Sequence, residues 1–229
     1  MALVVATGGN AEGVREVLGC DVGPREEAAF WTAFRRDRKA RGLTGVHLVI
    51  RDAHTGLQQA IRTVLQGASW QRCRVHFVRN CWAHVPQSAQ ALTATRVRTI
   101  FVQPDAAAAQ APRTPVVNTR QERYPQAATV LQDATEDILA FMAFPPDHWR
   151  PIASTNPLER LRREIGRRTD VVGIFPHRAA TLRLAGAVLM EPHDEWLAAP
   201  RRYFSQESMA AVGRSRETEP SAVPAIVAP

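Results

Sequence analysis

The sequence has 229 residues, 45% of them hydrophobic, and a formal net charge of +7. That is enough for one domain of fair size, and it holds no apolar run long enough to span a bilayer. Three cysteines, Cys20, Cys73 and Cys81, are too few and odd in number for a disulfide framework and suit a reducing compartment. The N-terminal MALVVATGGN has no basic segment before its apolar run, so no secretory signal is read there. The expectation is a soluble, cytoplasmic protein with no membrane partner. Almost all of the basic charge is arginine, since Lys39 is the only lysine. A basic excess suits a polyanion such as DNA, because each phosphate contact releases counterions.

In chain order, residues 2–7 and 14–20 read as two strands joined by a glycine-rich turn between Gly8 and Gly13, close enough for an antiparallel hairpin. Residues 25–41 read as a helix behind Pro24. Phe30, Trp31 and Phe34 define its apolar face, but Arg35 and Arg38 fall where the stripe should continue. Residues 46–50 form a short strand ending at Arg51-Asp52. Residues 55–66 read as an amphipathic helix carrying Leu57, Ile61, Val64 and Leu65. Residues 70–80 read as a strand or a strand-to-helix turn.

Prolines break the stretch 104–125. Helical spacing returns from Ala127 to Phe144, and residues 145–157 then read as a proline-rich loop. Helices follow over 157–168 and 177–191. From Ser205 to Pro229 the chain is rich in Ser, Glu, Ala and Pro and reads as a disordered tail. The order of elements predicts an α/β fold with a mixed sheet flanked by helices, in residues 1–204, followed by the tail, 205–229.

Four constellations carry chemistry. Asp52 lies just past an apolar strand, where α/β sheets bind ligands, and could hold a divalent metal. The same position suits a cap on the helix that follows. Glu159 stands three residues after Asn156, with Pro157 between them, which is capping-box spacing. It could equally be a metal-binding carboxylate, since Arg162, Arg163 and Gly166 share its flank of the helix. Leu158, Leu161 and Ile165 form an apolar stripe beside that flank. Cys73 and His76 are too few for a structural zinc site, and adding Cys81 and His84 would require a very tight fold. Trp70, Arg72, Arg74, His76 and Arg79, with Trp149 and Arg150, suit stacking and phosphate contacts at DNA, or core tryptophans beside solvated arginines.

Five segments occur in order: GLTGVHLVIRDAHTGLQQAI, GASWQRCRVHFVRN, FPPDHW, STNPLERLRREIGRRTDVVGIFP and EPHDEWLAAPRRYFSQESM. Together they closely resemble the Mutator-type transposases of bacterial insertion sequences. The resemblance implies a ribonuclease-H-like core in which two aspartates and a glutamate bind two magnesium ions for DNA cutting and strand transfer. It matches Asp52 to the second aspartate, Glu159 to the glutamate, and Cys73 and His76 to a C-x2-H signature between them. The partners it implies are transposon-end and target DNA and further copies of the protein. Arg72, Arg74, Arg79, Arg162, Arg163, Arg167 and Arg168 become candidate DNA contacts.

The sequence also departs from the family. The first aspartate belongs on a central strand before ALVVATG, and Asp21 is not expected to replace it. Arg51 stands in place of a serine, Arg162 of an asparagine, Gly166 of a basic residue, and Arg35 and Arg38 of apolar ones. Residues 111–123 match poorly, and the family's preceding DNA-binding region is not in the sequence. These departures lead us to expect a truncated, inactive copy with an incomplete magnesium site and unpaired sheet edges. The alternative is a non-catalytic DNA-binding or oligomerisation fragment that modulates full-length transposase.

Overall fold

Strand β1 (Ala2–Gly9) and strand β2 (Arg15–Gly23) pair antiparallel, with Leu3 opposite Val22, Gly9 opposite Arg15, and a register shift between Ala6 and Thr7. The computed structural model describes residues 2–24, 27–52, 61, 63–109, 111 and 124–217. Alternation along β1 sends neighbouring valines to opposite faces. Val4 packs with Trp31, Phe34 and Ile61, whereas Val5 packs with Leu161, Ile165, Ala185 and Leu189.

The turn of this hairpin is glycine-rich because another part of the chain lies on it. Phe204 donates its N–H to the Gly13 carbonyl at 3.0 Å. A Cβ at Gly13 would sit 2.1 Å from the Phe204 carbonyl oxygen, and one at Gly9 would sit 2.8 Å from the Phe204 ring. Gly13 also has a φ of 76°, which L side chains rarely adopt.

Helix α1 (Ala28–Ala40) covers one face of β1 and of a second pair of strands. Strand β3 (Leu48–Arg51) runs parallel to strand β4 (Ser69–Arg72), Leu48 opposite Ser69 and Arg51 opposite Arg72. Val49 and Trp70 join the α1 side, while Leu48 and Ile50 pack against the helices opposite. Of the connecting helix expected over 55–66, Ile61, Thr63 and Val64 are helical, and 53–60 lie outside the described residues. Among the described residues, β1 pairs only with β2 and β3 only with β4, giving two sheets where one mixed sheet was expected. The class is α/β.

Arg35 and Arg38 are buried on α1 rather than solvated. Arg38 extends to the Leu18 carbonyl (3.1 Å) and to Asp37 (3.0 Å), and its guanidinium lies over Phe34. Among the described residues Arg35 has no acceptor for Nη1, and burial, then the nearby Arg51 charge, pushes its pKa down to about 10.

The largest core lies among helix α2 (Arg74–Trp82), helix α3 (Gln87–Phe101), helix α4 (Pro125–Asp133), helix α5 (Thr135–Leu139) and the 3-10 turn Ala140–Ala143. Phe77, Cys81, Val97, Ile100, Leu131, Ile138 and Phe141 fill it. Gln71, fully buried on β4, donates to the Ile138 carbonyl at 3.1 Å and accepts from the Phe141 N–H at 2.8 Å. One side-chain amide thus satisfies backbone groups that would otherwise be stranded in the core.

Three expectations are corrected. Residues within the expected proline-rich loop form helix α6 (Pro146–Ile152). Pro146 sits in its first turn, where a missing N–H costs nothing, and buried His148 and Ile152 anchor it. Helix α8 (Arg178–Ala198) runs past Pro192 instead of ending at 191, because its last turns pack on β2. There His193 Nδ1 accepts the Val17 N–H at 3.2 Å. The expected disordered tail begins with helix α9 (Gln206–Glu217), which Ser205 caps by accepting the Ser208 N–H at 3.2 Å. Val212 inserts into the main core. Residues 218–229 lie outside the described residues, as do 112–123. No described helix is long and apolar enough to cross a membrane.

Candidate functional site

Asp52 directly follows β3 and is half-buried. The capping role weighed for it involves Ala53 to Thr55, outside the described residues. Glu159 lies in the first turn of helix α7 (Asn156–Val172), whose Leu161 and Ile165 are buried against β1 as the apolar stripe predicts. Strand alternation turns Leu48 and Ile50 away from α1, and Asp52 continues that phase. Val5 meets α7 on the sheet face that is likewise turned away from α1.

The two segments are tied together through Cys73. The Cys73 N–H donates to the Arg51 carbonyl at 2.7 Å, and the Arg74 N–H donates to the Ala153 carbonyl at 2.9 Å. The Cys73 thiol is fully buried and accepts both the Thr155 N–H and the Thr155 hydroxyl, each at 3.3 Å. Thr155, in turn, is the cap residue of α7, and its carbonyl accepts the Glu159 N–H at 2.9 Å. A short path of hydrogen bonds therefore runs from the residue before Asp52 to the backbone of Glu159.

This arrangement replaces the expected capping box. Asn156 is the first helical residue, not the cap, and no side chain caps α7. The Glu159 carboxylate instead pairs with Arg162 at 3.2 Å, with both side chains more than a third exposed. Thr155 was missed in the sequence because the cap was read one residue later, at Asn156. Its hydroxyl is engaged by a thiol distant in the chain.

Asp52 and Glu159 are hard oxygen donors of the kind magnesium takes, often with water and substrate phosphate completing the shell. Among the described residues, no three or more His, Cys, Asp or Glu side chains stand together as a metal-binding group. Asp21 is engaged elsewhere, paired with Arg178 and accepting the Val22 N–H at 2.7 Å. His84 contacts Gln126 at 3.0 Å, so the C-x2-H-x4-C-x2-H string does not converge.

The candidate DNA-contacting arginines divide by exposure. Arg72 lies over Phe77 at 5.3 Å and Arg74 over Phe101 at 5.1 Å, both partly buried, and burial lowers the pKa of Arg74. Arg79, Arg163, Arg167 and Arg168 are exposed, and Glu164 holds both Arg167 (2.7 Å) and Arg168 (3.1 Å). Trp70 packs in the α1 core, and Trp149 packs edge-on to Phe141 while donating to the Phe144 carbonyl at 2.7 Å. Both tryptophans serve packing.

Comparison with known proteins agrees with the motifs. The family described as "Transposase, Mutator family" matches residues 1–199. The transposase for insertion sequence element IS1081 of Mycobacterium tuberculosis is 50% identical over 204 residues, covering 89% of this chain and 49% of its own length. The transposase for IS256 in transposon Tn4001 of Staphylococcus aureus is 37% identical over 203 residues, 88% of this chain and 52% of its own. The transposase for ISRM5 of Rhizobium meliloti is 36% identical over 208 residues, 91% and 52% respectively. The chain thus spans about half the length of these relatives. With a family match across most of its residues, the chain belongs to the Mutator family of transposases.

Proposed function

We propose that this chain carries the Asp52 and Glu159 arms of a ribonuclease-H-like metal centre, in a DNA transposase that cuts and joins insertion-sequence ends. The observation that carries the reading is the hydrogen-bonded path from Arg51 through Cys73 and Thr155 to Glu159. It ties the backbone beside Asp52 to the backbone of Glu159, two residues from distant parts of the sequence. Magnesium, when bound, supplies activation of the attacking oxygen and neutralisation of charge on the leaving oxygen.

The chain's own residues position and recognise. Cys73 and Thr155 fix the start of α7 relative to β3. Arg162 holds the Glu159 carboxylate while no metal competes for it. Arg163 and Arg167 continue along the exposed side of α7 and suit backbone phosphates of end or target DNA. Further copies of the protein are the other partners this reading calls for. Two carboxylates hold divalent ions more weakly than three, so strand transfer is not expected of these residues by themselves.

The test is manganese binding followed by electron paramagnetic resonance, without DNA. The wild-type chain should bind weakly, and Asp52→Asn and Glu159→Gln should each reduce binding by roughly tenfold, since each removes one of few charged ligands. Binding unchanged in the double variant would overturn the assignment.

A further inference from the structure

The segment Ala199–Phe204 crosses the hairpin turn and borders an open surface pocket of about 360 Å³ lined by Arg15, Trp196, Ala199, Arg201, Arg202 and Tyr203. The pocket lies between the start of β2, the last turn of α8 and the crossing segment. Its lining has three cations, two aromatic rings and no acid.

Arg15 organises the floor. Its guanidinium stacks 3.9 Å from the centre of the Trp196 ring and 5.4 Å from that of Tyr203, and its buried Nη2 has no hydrogen-bond acceptor among the described residues. Burial accordingly holds its pKa below the usual arginine value. Arg202 anchors one guanidinium nitrogen on the Glu12 carbonyl, and Arg201 is exposed at the rim. Tyr203 is 37% exposed and presents part of its ring to solvent.

The lining chooses among anionic ligands. Inorganic phosphate would use the arginines but not the exposed part of the Tyr203 ring. Duplex DNA offers phosphates but keeps its bases stacked inside. An unpaired nucleotide offers both a phosphate and a flat π-face, the combination read by aromatic and arginine surfaces in single-strand-binding proteins. The volume falls toward the lower end of small-ligand pockets, about 300–1,000 Å³, and suits one such unit.

We infer that this pocket receives an unpaired nucleotide of a DNA strand, its phosphate against Arg201 and Arg202 and its base against Tyr203 and the free edge of Trp196. The choice of DNA rests on the transposase reading. The site itself does not depend on Asp52 or Glu159.

The experiment measures binding of a short fluorescein-labelled oligo-dT by the full chain, by anisotropy across a salt series. Arg201→Gln/Arg202→Gln is compared with Arg36→Gln/Arg41→Gln, which removes the same charge from exposed positions toward the C-terminal end of α1, outside the pocket lining. The first pair should lower the slope of log affinity against log salt by about 0.7, the value for one phosphate contact on a single strand, and the second should leave it unchanged. Tyr203→Ala should weaken binding by about fivefold or more, as loss of one stacked base does. Cross-linking with 5-iododeoxyuridine in the oligonucleotide should label the peptide containing Trp196 or Tyr203. Equal slopes for the two double variants, or cross-links that map only elsewhere, would overturn the proposal, as would a duplex that loses as much affinity as the single strand on Tyr203→Ala. The manganese measurement contains no DNA, so failure of either idea can be told from failure of the other.

Discussion

Thr155 points its backbone N–H and its hydroxyl at one sulfur, the buried thiol of Cys73. Removing that sulfur would strand two donors in a site closed to water, at about 1–3 kcal/mol for a buried unsatisfied group. Cys73→Ala is therefore expected to lower unfolding free energy by about that amount in urea titrations, while Cys73→Ser, which keeps an acceptor, should recover most of it. Equal loss in both variants would mean that the thiol acts through volume alone. Asp52, Glu159 and Cys73 could all be picked out in the sequence, because acidic residues after a strand and a C-x2-H signature are local patterns. The contact that joins them was not, since Cys73 and Thr155 lie 82 residues apart and neither residue's neighbours encode the other. Arg35 was readable only as an anomaly in an apolar stripe. The structure buries it where the stripe should continue, guanidinium included.

Helix α9 docks on α6 through one titratable contact. His148 is buried, its Nε2 lies 2.8 Å from the Ser208 hydroxyl, and its ring packs 4.2 Å from that of Phe204. Burial holds the imidazole pKa below its ordinary 6.5, with Asp147 opposing weakly. A histidine with a lowered folded-state pKa binds protons more readily when unfolded, so stability falls as pH drops through 6.5 toward the folded value. Acidification across that window should lower the melting temperature and lower the amide protection factors, relative to intrinsic exchange rates at each pH, in Gln206–Glu217. His148→Gln, which does not titrate, should show a smaller pH dependence, and an unchanged one would assign the effect to another histidine. At this scale the sequence was legible wherever apolar spacing was regular, as in α7. It failed over 146–152 and 206–217. Prolines in a first turn look like a loop signal although they are harmless there, and a polar helix held by one serine cap, Ser208 and Val212 has little periodic stripe to read.

The molecule is held by three apolar clusters that meet at its strands, with β1 serving two of them. The α/β class followed from the order of elements, but the split into two strand pairs did not, since pairing partners depend on contacts remote in sequence. The least legible feature was the return of the chain at Phe204 over the turn at Gly9–Gly13. Glycines there read as ordinary turn residues, whereas their lack of Cβ makes room for a segment 190 residues away, where Arg202 meets Glu12. A polypeptide ending at Ala198 should keep the β1–β2 ladder but exchange the Gly13 and Val14 amides faster, by hydrogen exchange with mass spectrometry. Equal protection would show that the crossing segment contributes nothing to the turn. The same crossing also sets an order of events during synthesis. The hairpin is translated before the segment that crosses it, which lies 190 residues further along the chain. The glycine turn therefore waits uncovered while those residues are made, an interval in which a chaperone can engage this corner of the nascent chain.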